Sequence, residues 1–404
     1  MENPKICLNM IVKDEADIIA GTLENICNAI KISYWVICDT GSSDDTRNII
    51  NTFFKEQNIP GELHDVPWKD FGYNRTKALE LAKGKSDFVL IFDADDRIYG
   101  KVNIANLKFG SGYHLNFGTG ISWKRLCLVD NNLDWYYSGV MHEIIGCRQE
   151  FATRHLEGDY HVKTNVVVSA RNKQGQDKFL HDAEKLVEAY NKGGVLKQRY
   201  CFYAGECFRF SSKDNWDKSI EWYTKCANDT KTWEQERYWS CYQIGNMYKD
   251  MGDIEKAKCW WLRSYEYDTS RKEAMYELIK LCRERNEFKQ ADLFYSMLTE
   301  LREEDKPHKL FIINHIYDHS LYSEMFIIYN YVQKFDKQME VLLKLFGAEH
   351  ALPVYINMTN HNLQFYLNNI KSDNYEFCVK FLKYCKTFNI QHQIKEKILK
   401  IFNL

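Results

Sequence analysis

The residues predict an α/β domain with a mostly parallel, Rossmann-like sheet, followed by an all-α domain of helical repeats. Three observations carry that prediction. Between residues 6 and 92, short apolar runs alternate with helix-length amphipathic stretches, the order that gives a parallel sheet with crossover helices. One apolar run, Phe88-Val-Leu-Ile-Phe92, ends in Asp93-Ala94-Asp95-Asp96, a knot of carboxylates at the end of a strand buried on both faces. From about Asp177 onward the strand patterns vanish, and small residues recur at the spacing of a helical repeat.

In chain order, Ile6–Val12 and Tyr34–Cys38 read as strands. Asp14–Ile30 between them sets Ile18, Ile19, Leu23, Ile26 and Ile30 on one helical face. Asp44–Lys55 reads as a second helix, with Ile49, Ile50, Phe53 and Phe54 inward, and Arg75–Lys83 as a third that closes on Gly84. From Gly112 to Val168 the runs shorten and alternate, as in 113–117 and 165–169, and read as added antiparallel strands. This places the first domain at 1–180. The second, 181–404, has its clearest repeats at 200–300 and a helical cap at 308–404. Gly245, Tyr248, Ala257 and Trp261 sit at the offsets of a tetratricopeptide unit. Gly252-Asp253-x-x-Lys256-Ala257 recurs loosely as Asn215-x-Asp217-Lys218-Ser219 and Asn286-x-x-x-Gln290-Ala291, with the small residues 38 and 34 apart.

Composition narrows the function. Lys and Arg number 54 against 56 Asp and Glu, a net charge of −2, so no strong field draws the chain to nucleic acid or to an anionic membrane. Thirteen cysteines are scattered without a C-x-x-C pair, which fits reduced thiols better than disulfides or zinc. With no signal peptide and no apolar run long enough to span a bilayer, the expected setting is cytoplasmic.

Clustered like charges at a strand end repel one another unless a cation or ligand compensates them, and ligands bind beyond the carboxyl ends of strands in open α/β sheets. A hard divalent ion, Mg2+ or Mn2+, is the natural partner for Asp93, Asp95 and Asp96. Three further elements stand at strand ends or helix starts: Lys13-Asp14-Glu15, Cys38-Asp39-Thr40-Gly41-Ser42-Ser43-Asp44-Asp45-Thr46, and Asn74-Arg75. Asp39 can accept from a base N–H or a ribose hydroxyl, Gly41 permits a tight turn, and Ser42, Ser43 or Asp44 can cap the helix that follows.

Met10-Ile-Val-Lys-Asp-Glu15, Asp39-Thr-Gly-Ser-Ser-Asp44-x-Thr46, Asp93-Ala-Asp95-Asp96 and Val140-Met-His-Glu143 together resemble the family-2 glycosyltransferases of the GT-A fold, metal-dependent and inverting. The resemblance covers roughly residues 5–180, and members with a C-terminal tetratricopeptide-like helical domain are similar over most of the chain. Asp14 stands where the family usually has Asn, and Asp96 where it usually has Glu. The resemblance implies that Val12, Glu15 and Asp39 hold the base and ribose of a nucleotide, with Arg75 and Asp93 beside them. It implies that Asp95 binds a metal, Mn2+ or Mg2+, with His161 as second ligand and His155 as fallback. Glu143 is the expected base that takes the acceptor's proton, with Asp134 and Asp96 as alternatives. His142, Trp123 and Arg171, with Lys173, are expected near the sugar, acceptor or diphosphate.

The expected reaction is transfer of a hexose, with inversion, from a nucleotide sugar such as UDP-glucose to a polypeptide or glycan acceptor. The helical domain would dock the acceptor, form a homodimer, or both. A sugar-1-phosphate nucleotidyltransferase is the second reading, but it would carry a Gly-rich loop after the first strand, where Lys13-Asp14-Glu15 has no glycine. A non-catalytic repeat adaptor with a degenerate first domain is the third.

Overall fold

The structure is a computed structural model that describes residues 4–164, 177–302, 305–348, 352–366, 375–388, 396 and 399–400. The expected strand at 165–169 lies outside the described residues. Two compact units divide at Glu236/Arg237, well beyond the change from strands to helices, so the first helices of the helical region belong to the first unit.

In the first unit, β1 (Ile6–Val12), β2 (Tyr34–Asp39), β3 (Gly61–Asp65) and β4 (Phe88–Ile91) are joined by α1 (Ile19–Ala29), α2 (Thr46–Glu56) and α3 (Phe71–Ala82). Then come β5 (Asp96–Asn103), β6 (Ser111–Phe117), β7 (Ile121–Asp130), β8 (Trp135–Ser138), β9 (Ile144–Cys147), β10 (Ala152–His155) and β11 (Glu157–Thr164). The main sheet runs β3-β2-β1-β4-β7-β6-β11-β5, with β10 also on β6, while β8 and β9 form a separate ribbon. The first four strands are parallel; β7 is antiparallel to both β4 and β6.

Apolar burial explains why β1 and β4 are central. Every residue of β4 is buried, as are all but one of β1. Trp35 stacks on Phe54 of α2 at 4.5 Å between ring centroids. Asn9, a buried amide on β1, donates to Val36 O at 3.2 Å and to Ala78 O at 2.9 Å. It thereby ties α3 to the sheet through hydrogen bonds that a buried amide requires.

Three helices complete this unit: α4 (Asp177–Lys192), α5 (Lys197–Ser211) and α6 (Trp216–Asn228). A Cβ on Gly205 would come within 2.7 Å of the Tyr223 ring, and Ser219 Oγ donates to Gly205 O at 2.8 Å. Glycine is required where these two helices cross.

The second unit is described by α7 (Glu234–Asp250, its first turn in the first unit), α8 (Ile254–Tyr265), α9 (Glu273–Glu284), α10 (Phe288–Met297), α11 (Leu321–Tyr331), α12 (Phe335–Phe346), α13 (Pro353–Tyr366) and α14 (Tyr375–Thr387). The same packing device recurs between α7 and α8: a Cβ on Gly245 would sit 2.4 Å from Trp261, and Ala257 is fully buried. Among the described residues, no helix is long and apolar enough to cross a membrane.

Candidate active site

The two loops after β1 and β2 lock together. Asp14 adopts φ 53°, so the chain turns sharply after β1 and no helix starts there. Its amide donates to Ser42 Oγ at 2.9 Å, the Glu15 amide to Thr46 Oγ1 at 2.8 Å, and the Ala16 amide to Asp44 Oδ2 at 3.0 Å. In return, Asp14 Oδ1 accepts from Ser43 N at 2.6 Å. Helix α1 therefore begins at Ile19, not at Asp14 as expected. Asp39 is buried, and its Oδ1 accepts from the amides of Gly41 and Ser42 at 2.8 and 2.7 Å. Its other oxygen lies 3.4 Å from Arg47 Nη1. In this structure Asp39 serves its own turn, where Gly41 takes φ 109°.

Helix α3 is capped by Asp70, whose carboxylate accepts from Tyr73 N at 2.7 Å, a contact that stabilises a helix start by about 1 kcal/mol. The helix begins at Phe71, so Asn74 and Arg75 lie in its first turns and both are buried. Asn74 donates to Val66 O and Pro67 O and accepts from Lys69 N, which fixes the 66–70 loop. That loop and the β1 end bound a cleft of about 720 Å3. Val12, Glu15, Thr40, Trp68 and Met141 line it, with Lys185 from α4 opposite.

Arg75 is the hub of the charged centre. Its Nη2 donates to Asp93 Oδ1 at 2.7 Å, and its Nε lies 2.6 Å from Glu143 Oε1. The Nε contact is off the N–H direction, so it is an ion pair without a hydrogen bond. Arg125, from the middle of β7, holds the other oxygen of Asp93 at 2.8 Å. Burial alone would lift the Asp93 carboxyl, but Arg125 and Arg75 overcome it and hold Asp93 far below the usual carboxylate range.

Asp95 and Asp96 are different. Burial, with Asp93 beside it, raises Asp95, and the same two causes push Asp96 up to about 7. The Asp96 Oδ2 atom is buried and has no hydrogen-bond partner, with Arg125 Nη1 3.8 Å away. Two adjacent carboxyls whose charge is disfavoured, one with an orphaned buried oxygen, fit a site completed by a cation. Among the described residues no three His, Cys, Asp or Glu side chains group for ligation, so the remaining ligands of such an ion would come from outside this group.

The structure thus brings Arg75, Asp93, Asp95, Asp96 and Glu143 together, and leaves Val12 and Glu15 at the cleft wall. His161 is not brought to Asp95, against expectation. It lies on β11 opposite Tyr99, with the two rings stacked at 5.4 Å. Thr164, three residues further on, is the residue opposite Asp96. His161 is therefore displaced about 10 Å along the strand from the Asp96 end. His155 sits on β10, its Nδ1 3.3 Å from Lys124 Nζ. Asp134 bonds Lys83 at 2.8 Å on an exposed surface, away from the charged centre. Trp123 stacks on Phe117 at 5.7 Å, and Arg171 and Lys173 lie outside the described residues. His142 takes φ 49° and stacks on Tyr203 of α5 at 3.7 Å.

The α5 residues are functional candidates that the sequence does not point to, and for Arg125 the sequence leaves open whether it faces solvent or the diphosphate. Arg125 follows Trp123 and Lys124 in a strand pattern, and only the pairing of β7 with β4 carries it to Asp93.

Residues 7–103 match the family model described as Glycosyl transferase family 2. No curated protein matches the chain at a significant level. Among solved structures, S. aureus TarS 1–349 in complex with UDP-GlcNAc is 13% identical, with a TM-score of 0.29 over 65% of this chain and 91% of that one. The mannosyltransferase PcManGT from Pyrobaculum calidifontis, in complex with GDP-Man and Mn2+, is 12% identical, with a TM-score of 0.35 over 64% and 86%. BtubC (BKLC) from P. vanneervenii is 11% identical, with a TM-score of 0.37 over 59% and 94%.

Proposed function

We propose that this chain, with a family-2 glycosyltransferase domain at its head, moves a hexose from a nucleotide sugar to a polypeptide or glycan acceptor with inversion. A UDP-sugar such as UDP-glucose is the donor we favour. The observation that carries the reading is the family match over 7–103 together with the adjacent Asp95 and Asp96, raised by burial and by Asp93, with one buried oxygen of Asp96 unpartnered.

Asp95 would hold the divalent ion, Mn2+ or Mg2+, with Asp96 behind it and His161 no longer assigned to it. When bound, such an ion neutralises charge on the departing nucleoside diphosphate. Arg75 and Arg125 keep Asp93 ionised and pointing into the same centre, where a carboxylate can accept from a ribose or sugar hydroxyl. The cleft beside the β1 end has room for a base and ribose against Val12 and Glu15. Glu143, an anion on the Arg75 side of the centre, is suited to take the acceptor's proton as the new glycosidic bond forms. Trp123 and His142, whose rings stack on Phe117 and Tyr203, stay our candidates for contact with the sugar or the acceptor. The helical region remains our candidate for acceptor docking or for a homodimer, and a cytoplasmic setting remains our expectation.

The test is release of UDP from UDP-glucose, UDP-galactose and UDP-GlcNAc, with Mn2+ or with EDTA, across a panel of acceptors. Metal-dependent turnover of one donor supports the reading. Pyrophosphate-dependent formation of UTP would favour a nucleotidyltransferase instead, and absence of both turnover and nucleotide binding would favour an adaptor.

A further inference from the structure

We infer that α5, a helix of the repeat region, is a working part of this active site, with Arg199 as a positioning residue for Glu143. The inference rests on the reading of Glu143 as the base. It starts from the loop that carries that residue, which leaves ordinary backbone space twice, at Gly139 with φ 114° and at His142 with φ 49°. A side-chain-bearing residue persists in the left-handed region only where its surroundings over-determine it.

Two helices supply those surroundings: the first turn of α3, where Gly72 N donates to Gly139 O at 3.0 Å, and α5, which reaches His142 with the contacts that follow. Arg199 Nε donates to the His142 carbonyl at 2.7 Å. The Tyr203 ring lies flat against the His142 imidazole, 8° from parallel at 3.7 Å. Tyr200 Oη accepts from Val140 N at 3.2 Å, and a Cβ on Gly139 would come within 2.8 Å of Leu196. Arg199 is itself fixed, with Nη1 3.2 Å from the buried Glu236 and its guanidinium over the Tyr203 ring at 4.8 Å. A charged fork held at both ends makes a directional clamp on a carbonyl, which a lysine cannot reproduce.

The consequence concerns geometry at the next residue. Rotation about the His142 backbone redirects Glu143, whose carboxylate must meet Arg75 2.6 Å away. Helix α3, through Arg75, holds the head of Glu143; helix α5, through Arg199, holds the backbone before it. Misplacing a catalytic group by about 1 Å lowers turnover by up to about a hundredfold.

The experiment uses the full chain with Arg199→Ala, Arg199→Lys and Tyr203→Leu, and measures three quantities. The first is amide hydrogen exchange across 139–143 without substrate, the second the Kd for UDP-sugar with Mn2+, the third kcat and KM for its turnover. We expect exchange to speed at least about tenfold in that loop for Arg199→Ala, with β1 and β4 amides unchanged. Turnover should fall about tenfold or more while donor Kd and KM stay within about twofold, and Arg199→Lys should lie between. Unchanged exchange at 139–143, or a kcat equal to wild type, would overturn the inference. Should Arg199→Ala fail to fold, Tyr203→Leu carries the same prediction. A wild type without turnover would sink the proposed function, whereas the exchange experiment still decides whether α5 holds the loop.

Discussion

Replacing Arg75 with methionine should destabilise the first unit by about 3–5 kcal/mol, because it strands Glu143 and takes one of two cations from Asp93, both partly buried. The side chain of Arg75 is 8% exposed, and those of Asp93 and Glu143 are 22% and 13% exposed. The two acids do not suffer equally. Asp93 keeps Arg125 at 2.8 Å, whereas Glu143 loses the cation it faces at 2.6 Å. Adding Glu143→Gln to Arg75→Met should therefore return about 1–3 kcal/mol, the cost of one stranded buried polar group. Adding Asp93→Asn should return less, since it strands Arg125 in turn. The assay is hydrogen exchange of the slowest amides in β1 and β4, which open only when the whole unit unfolds. A larger rescue by Asp93→Asn than by Glu143→Gln, or an Arg75→Met variant within about 1 kcal/mol of wild type, would rule out this role for Arg75.

Three further outcomes can be checked. Gly245→Ala puts a methyl group 2.4 Å from Trp261 and should cost the second unit about 1–3 kcal/mol in urea unfolding; an unchanged midpoint would contradict the close helix crossing. Burial pushes the His319 imidazole down to about 4, so the folded state binds fewer protons than the unfolded state between about pH 4 and 6.5. Stability is full above that window and falls by about 3 kcal/mol as pH drops through it. Denaturant titrations from pH 7 to 4 should show that fall and its loss in His319→Gln. Glu143→Gln should keep donor affinity and lose about 10²–10⁴ in transfer rate, and transfer at the wild-type rate would remove Glu143 as the base.

Much of this centre was legible in the chain, because its acids stand where apolar strands stop. Phe88–Phe92 is apolar without a break, so the aspartates after it mark a strand end, and Cys38-Asp39 marks another. The expected helix start at Asp14 failed because its side chain and amides bond the 42–46 loop, a long-range partner that outbids local helix propensity. Strand β3 was not foreseen, since Gly61–Asp65 is short, polar and nowhere buried. The role given to His161 failed on register, which pairs it with Tyr99 about 10 Å along the strand from the Asp96 end. Arg125, beside Trp123 and Lys124, could face solvent or a diphosphate by sequence alone, and Arg199 carries no local signal. Each reaches the centre only through a pairing, of β7 with β4 or of α5 with the 139–143 loop, that the spacing of residues does not encode. Asn74 was singled out beside Arg75, yet its work is to fix the 66–70 loop.

On the function we propose, a divalent ion and a nucleotide sugar complete Asp95 and its neighbour. Calorimetric titration of UDP-sugars into the full chain, with Mn2+ and with EDTA, tests it most directly. Saturable binding of a donor that needs Mn2+, and that disappears in Asp95→Ala while the variant melts within a few degrees of wild type, is the predicted result. Equal binding in EDTA, or in Asp95→Ala, would contradict it.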